Sequence, residues 1–412
     1  MKKPRLVLIL ASFPQISETF IVNKFVALLD QGWDVHVECR KHARESWGAF
    51  PQFAKRRDLH ARVHQTWPVS PKWLAILLSP LAFLTCLLKN PIGLAGYLKR
   101  GLKRHGFGVI KRFYLDARVI ALKPTLVHFE FGATAVERAD LNDLLGCVGI
   151  VSFRGYDLNF SGLDVEDYYK EVWKFTDGFH FLGEDLHQRA LRRGLPPEKP
   201  YALIPPAIDT EFFSPAKDKD FTPIGSAERP LRLLSVGRLE WKKGYEHALT
   251  AVSLLREQGI CCEYRIIGAG ASLTALVFAR HQLGLEKTVT LLGALPRENV
   301  KDALEWSDVF LHAAVSEGFC NAVLEAQSMR VPVVTTDADG LPENVAHGLT
   351  GFVVARRSPT ALAARLAELA ADADLRRQMG LAGRARVVEH FQLDGQISRF
   401  INFYHSLYRG SN

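Results

Sequence analysis

Apolar residues in this chain fall in short continuous runs separated by amphipathic stretches. In the first half, runs at 5–11, 33–39, 125–131, 148–153, 178–182 and 201–204 predict strands buried on both faces. Helical periodicity fills most gaps, including 18–30, 134–145 and 184–193. Pro205-Pro206 and the polar stretch 214–230 break the rhythm. It resumes at Leu231 with predicted strands at 231–236, 264–267, 289–292, 309–313, 331–335 and 352–354. Strands alternating with helices predict the α/β class with parallel, doubly wound sheets. The predicted organisation is a first domain 1–206, a linker 207–230, a second domain 231–392 and a terminal segment 393–412 holding a last helix.

A chain of 412 residues exceeds one ordinary core, which agrees with two domains. With 48% hydrophobic and 23% charged residues it has the composition of a soluble globular protein. The apolar run after Met1-Lys2-Lys3 is short and is followed by Pro14 and Glu18, so it predicts a first strand rather than a leader. The six cysteines lack metal-ligand spacing and read as buried thiols of a reducing, cytoplasmic setting. The formal net charge is +8, and the basic surplus lies entirely in the first 200 residues. An anionic partner on that half is the implication.

One insertion, 72–112, departs from the βα rhythm. Residues 73–88 are strongly apolar but contain Pro80 and fall short of the roughly 20 residues that span a bilayer. Lys89, Lys99, Arg100, Lys103, Arg104, Lys111 and Arg112 follow with no acid among them. Apolar then basic is the pattern of a peripheral membrane contact; a buried helix with a solvated basic face is the alternative.

The chemistry-bearing residues concentrate in the second half. Glu317 and Glu325 flank a segment that begins as a loop after one strand and ends as a helix before the next. One acid therefore sits at a strand's carboxyl end, where open α/β sheets bind ligands, and the other about two helical turns on. Such acids suit the hydroxyls of a sugar. The backbone of Gly318, Phe319 and Cys320, at the helix start, is placed to donate to hydroxyls or phosphate. Arg238 ends a strand, and Lys243 with Gly244 opens the next helix. That spacing lets both cations converge on one anion, with Lys242 pointing outward.

Three blocks carry a family resemblance: Ser316-Glu-Gly-Phe-Cys-Asn-Ala-Val-Leu-Glu-Ala326, Ser235-Val-Gly-Arg-Leu-Glu-Trp-Lys-Lys-Gly244 and Gly340-Leu-Pro-Glu-Asn-Val-Ala-His-Gly-Leu-Thr-Gly-Phe352. They resemble the E-x7-E, G-R-x-x-x-x-K-G and G-x-x-E-x-V segments of family 4 glycosyltransferases, which are retaining enzymes. Phe13-Pro-Gln-Ile-Ser-Glu-Thr-Phe-Ile21 resembles the bacterial exopolysaccharide, colanic-acid-type subgroup. The resemblance implies the GT-B fold: two Rossmann-like domains facing across a cleft, the last helix crossing back to the first domain. It also implies a UDP- or GDP-linked sugar donor and a polysaccharide or lipid-linked acceptor, with no cofactor and no metal.

By the family pattern, Glu325 would hold the ribose hydroxyls and Glu317 the transferred sugar. Arg238 and Lys243 would grip the diphosphate beside Gly237, and Asn321 would join the donor site. Gly268 opens a glycine turn that is a poor dinucleotide fingerprint by itself; the family uses it near the nucleotide, with 293–295, ending at Leu295, around the base. On the acceptor side are Glu18 and Thr19, preceded by Ser17 as a helix cap, with Arg154 and Asp157. Relatives commonly have His where this chain has Arg154. An arginine cannot accept a proton, and it hints at an acidic donor or acceptor. Asp157 reads equally as a substrate contact or a helix cap, and His128 as a packed core histidine or a site residue. Asp337-Ala-Asp339 spells a metal-binding D-x-D but reads as a loop coincidence. The rival readings are a non-catalytic sugar-nucleotide or glycan-binding subunit, a nicotinamide-dependent enzyme and a nucleic-acid binder. The incomplete glycine fingerprint disfavours the second, and the lack of aromatics interleaved with the bases disfavours the third. The oligomeric state is open.

Overall fold

The computed structural model describes residues 4–15, 18–50, 53, 55–216 and 222–409. The chain forms two compact units, Met1–Ile204 with Gln396–Asn412, and Pro205–Gly395. The first is built on seven parallel strands: β1 Arg5–Phe13, β2 Asp34–His42, β3 Val63–Gln65, β4 Leu126–Phe129, β5 Val148–Phe153, β6 Gly178–Phe181 and β7 Tyr201–Leu203. Their order is β3-β2-β1-β4-β5-β6-β7. The second has six: β8 Leu231–Val236, β9 Cys262–Ile267, β10 Val289–Gly293, β11 Val309–His312, β12 Val333–Thr336 and β13 Gly351–Val354, in the order β10-β9-β8-β11-β12-β13. Every strand pair in both sheets is parallel.

Each central strand is apolar on both faces because helices cover both: Leu6 through Leu10 of β1 are all buried. In each unit the strand order reverses once, between β1 and β4 and between β8 and β11. Loops leaving the carboxyl ends of those pairs diverge, which opens a crevice where ligands bind in such sheets.

Three sequence expectations change here. The predicted linker begins as part of the second unit: Ile208 and Phe213 are buried, and Ile208 bridges to Gln392. The continuous helix expected at 134–145 is three short pieces, Gly132–Ala135, Val136–Arg138 and Leu141–Leu145. Buried charges interrupt it: Arg138 bonds Asp116 (2.7 Å) and Glu38 (3.0 Å), and Asp140 bonds Arg112 (2.7 Å) and His105 (2.6 Å). Strand β3 was not foreseen, since three residues show no periodicity. The terminal helix Leu393–Arg409 belongs to the first unit from Gln396, and its Tyr404 hydroxyl lies 2.8 Å from His128 Nδ1.

Candidate functional site

The β8/β11 switch point gathers most of the second-half candidates. Leaving β8, the chain passes Gly237 and Arg238, makes one 3-10 turn at Trp241–Lys243 and enters the helix Tyr245–Glu257. Gly244 between them has φ +60°, and a Cβ there would lie 2.1 Å from the Ala313 carbonyl oxygen. Only glycine lets this turn run against the end of β11. The Lys242 carbonyl then accepts the Val315 N–H (2.8 Å), which locks the loop after β8 to the loop after β11.

That lock brings Lys243 against Glu317. The two side chains, 11% and 15% exposed, form a direct ion pair. A Cβ on Gly237 would be 4.0 Å from Lys243 Nζ, so the ammonium lies beside that backbone. His312, at the end of β11, completes the cluster with its Nε2 3.5 Å from Glu317, an ion-pair distance without a hydrogen bond. Burial alone would raise the Glu317 carboxyl, but Lys243 and His312 outweigh it and hold it at about 2. Burial would likewise lower His312; the Cys320 sulfur and Glu317 raise it to about 9. For Lys243, burial is overcome by Glu317 and the pKa rises. The cluster thus sets the Lys243 and His312 side chains against the Glu317 carboxylate. His312, Glu317 and Cys320 also bring three metal-type donor atoms within 4.8 Å of one another. An ion entering there would compete with Lys243 for the same carboxylate.

Arg238 differs from expectation. Its side chain is 66% exposed and paired with Glu240 at 3.0 Å, so the two cations have separate carboxylate partners rather than one shared point. Lys242 does not point outward; it is 15% exposed and lies 3.4 Å from the other Glu240 oxygen. Gly268 presses the loop after β9 onto the loop after β8, since a Cβ there would meet the Gly237 oxygen at 1.9 Å. Its N–H donates to the Gly293 carbonyl (2.8 Å), and half-buried Leu295 packs just beyond, against the core of this unit.

The helix Asn321–Ser328 carries the second acid. Glu325 is half-buried and its carboxyl group has no hydrogen-bond partner among the described residues; burial, offset by Arg297, pushes it up to about 7. Phe319 anchors the loop by packing on Leu324 and Phe391. The Cys320 N–H, expected to face a ligand, donates to Asn344 Oδ1 (3.0 Å) and is occupied. The Gly318 and Phe319 N–H groups have no such partner among the described residues. Asp339 of the D-x-D is a brace: its carboxylate accepts from Ser316 Oγ (2.6 Å), the Glu317 N–H (3.1 Å) and Arg356 (3.2 Å). Asp337 accepts from the Arg356 N–H at 2.8 Å.

The β1/β4 switch point holds the first-half candidates. Glu18 is at the N-cap position of Thr19–Asp30, with Thr19 exposed; Ser17 lies outside the described residues. Arg154, just past the end of β5, is half-buried against the Phe20 ring (4.1 Å) and bonds Glu130 at 3.1 Å. Glu130, fully buried, also accepts from Lys24 Nζ at 2.6 Å. Burial raises Glu18 to about 7, with Arg154 opposing and Glu130 adding to the rise. Asp157 is a cap: its two oxygens accept the Arg154 and Ala133 N–H groups, both at 2.9 Å, and it is buried. His128 is a core histidine, wholly buried and bonded to Ser152 (2.7 Å). Sequence reasoning did not single out His312, Asp339's role, Glu130 or Lys24. Glu130 and Lys24 carried a readable signal, since charges on otherwise apolar core segments need partners.

The profile of "Glycosyl transferases group 1" matches residues 216–386. A glycosyltransferase assigned to colanic acid biosynthesis, WcaL of Salmonella typhimurium, is 30% identical over 406 residues, covering 93% of this chain and 95% of its own. The amylovoran biosynthesis glycosyltransferase AmsK of Erwinia amylovora is 30% identical over 404 residues, covering 92% and 94%. Among solved structures, Anabaena HepE in complex with UDP has a TM-score of 0.71 at 15% identity, covering 98% and 100%. Sucrose-phosphate synthase from Thermosynechococcus elongatus has a TM-score of 0.70 at 16% identity, covering 99% and 100%. The two sheets and their switch points are those of the GT-B fold, and the chain belongs to the group 1 glycosyltransferases, family 4 by its motifs, together with the colanic acid and amylovoran enzymes.

Proposed function

We propose that this glycosyltransferase transfers a sugar, with retention at the anomeric carbon, from a UDP- or GDP-linked donor to a polysaccharide or lipid-linked acceptor of a bacterial surface glycan. The observation that carries this reading is the nearly buried Lys243 ammonium beside Gly237 at the switch point, with partnerless Glu325 on the helix that follows. The bond from the sugar to the diphosphate breaks and a bond to the acceptor oxygen forms on the same face. The acceptor proton passes to the departing phosphate. Lys243, with Arg238 swinging from Glu240, rather than a metal ion, offsets the charge that grows on that phosphate, and the growth is greatest in the transition state. Glu317 orients Lys243 and meets the sugar. The likeness to HepE makes UDP the first donor nucleotide to test, and the kinship to WcaL and AmsK supports an exopolysaccharide acceptor.

Incubation with a panel of UDP- and GDP-sugars and a mixed pool of lipid-linked and polysaccharide acceptors tests the reaction. The expected product carries the anomeric configuration of the donor, read from its NMR coupling. An inverted product overturns the retaining assignment, and a donor that binds without being consumed supports a binding subunit.

Glu325 makes a separate pH prediction. The folded protein holds its proton up to about 7, against 4.5 for an ordinary glutamate. A raised acid pKa favours the folded state at low pH, and that advantage is lost as pH rises from 4.5 to about 7. The carboxylate that results is the better acceptor for paired ribose hydroxyls. Calorimetric affinity for the nucleotide-sugar is expected to strengthen as pH rises through about 7, and Glu325→Gln is expected to flatten that rise. The same slope in the variant removes Glu325 from ligand contact.

A further inference from the structure

The insertion of the first unit forms helices Lys72–Lys89, Pro91–His105 and Val109–Leu122. The first of these is long and apolar enough to cross a membrane by length and composition alone. One side of it is occupied by the protein: Ala82 and Cys86 are fully buried, the Cys86 thiol donates to the Ala117 carbonyl (3.1 Å), and Phe83 meets the Phe113 ring edge-on. A helix held along its flank by its own unit lies against that unit instead of standing through a bilayer.

The opposite side is bare. Trp73, Ile76, Leu77, Leu84 and Leu88 follow one another at helical spacing, all exposed, and Ile92 at the start of the next helix is 86% exposed. Phe107 and Ile110, after the second helix, are exposed as well. A contiguous apolar face of this kind marks an interaction surface.

The seven Lys and Arg residues from Lys89 to Arg112 then divide by role. Arg100 donates to the Leu144 carbonyl, Arg104 pairs with Asp140 and Asp143, and Arg112 pairs with Asp140. These three hold the insertion to its unit. Lys89, Lys99, Lys103 and Lys111 are exposed, with no acidic partner among the described residues. Four unneutralised ammoniums accompany the apolar face.

From the apolar face and its lysines we infer that helices 72–89 and 91–105 dock this enzyme on the surface of an anionic lipid bilayer, the apolar side chains entering the acyl boundary and the four lysines meeting the headgroups. Charge complementarity selects the lipid surface. A second copy of the chain would bring the same lysines together, and like charges in contact oppose association. Partition would draw on apolar area and on anionic attraction together, so it would be both lipid-dependent and salt-dependent.

The test is sedimentation of the full chain with vesicles of phosphatidylcholine alone or mixed with phosphatidylglycerol. Strong binding to the mixed vesicles is expected, falling at high salt. Leu77→Glu/Leu84→Glu/Ile92→Glu is expected to lower it at least tenfold, and Ile92→Glu alone, at a nearly free side chain, to lower it measurably without risk to folding. Lys89→Ser/Lys99→Ser/Lys103→Ser/Lys111→Ser is expected to abolish the preference for phosphatidylglycerol. Wild type that stays in the supernatant with both vesicles, or apolar variants that bind as well as wild type, overturns the proposal. So does light scattering that shows a dimer broken by Ile92→Glu with no vesicle binding, which assigns the face to a second copy. Binding is read without any sugar transfer, so its outcome is independent of the donor chemistry.

Discussion

Lys243→Ala is expected to lower turnover by about a hundredfold or more, the usual loss when one positioned charge stabiliser is removed. Donor affinity should change less, because the ammonium acts mainly on charge that develops as the sugar–phosphate bond breaks. The expectation rests on geometry as much as on charge. Glycine at 244 lets the loop after β8 pass against Ala313, and the Lys242 carbonyl fastens it to Val315. Lys243 is therefore fixed beside Gly237 by covalent and hydrogen-bonded structure on both sides. The variant also leaves Glu317 with only His312 as a nearby cation, so its carboxyl should rise from about 2. Adding Glu317→Gln relieves that buried charge without restoring the cation. The double variant is expected to regain stability while turnover stays low. Single-turnover donor consumption and a denaturant midpoint, measured on both variants, separate the effects; unchanged turnover in Lys243→Ala would falsify the proposed role.

Glu130→Ala is expected to cost about 3–5 kcal/mol of stability, the scale for breaking a buried ion pair from one side. Glu130 is fully buried and is the shared partner of Lys24 (2.6 Å) and Arg154 (3.1 Å). Burial already lowers Lys24 to about 8 against the pull of Glu130. Without that anion Lys24 can shed its proton, whereas an arginine cannot, so Arg154 would stay charged and lose its hydrogen-bonded counter-ion, keeping only the attraction of Asp157 and Glu18. Glu130→Ala with Lys24→Met should recover only part of the loss. Urea titration of the two variants checks this, and a Glu130→Ala midpoint equal to wild type refutes it. The cluster also bears on chemistry. The Arg154 guanidinium is held between Glu130 and the Phe20 ring. Glu18 lies on the same edge, where burial raises its carboxyl to about 7 against the pull of Arg154.

Most strands were legible because a buried parallel strand is apolar on both faces, and a run such as Leu6–Leu10 cannot be solvated. The glycine and acid motifs were legible for a related reason. Gly244 and Gly268 stand where a Cβ would strike a carbonyl oxygen, and Glu317 and Glu325 bracket a helix start whose geometry follows from local spacing. What the sequence by itself determined was therefore whatever depends on near neighbours: the βα rhythm, the switch-point loops, the glycine turns and the apolar insertion. Pairing between distant residues was decided only in the tertiary structure. Arg238 and Lys243 look equivalent in sequence, yet one is exposed against Glu240 and the other buried against Glu317, 74 positions away. Asp339 becomes a brace only because Ser316 and Arg356 arrive beside it, and three of the seven Lys and Arg residues between 89 and 112 become internal struts through Leu144, Asp140 and Asp143. The physical reason is that a charge's role is set by its counter-ion and its burial, and both are properties of the folded chain.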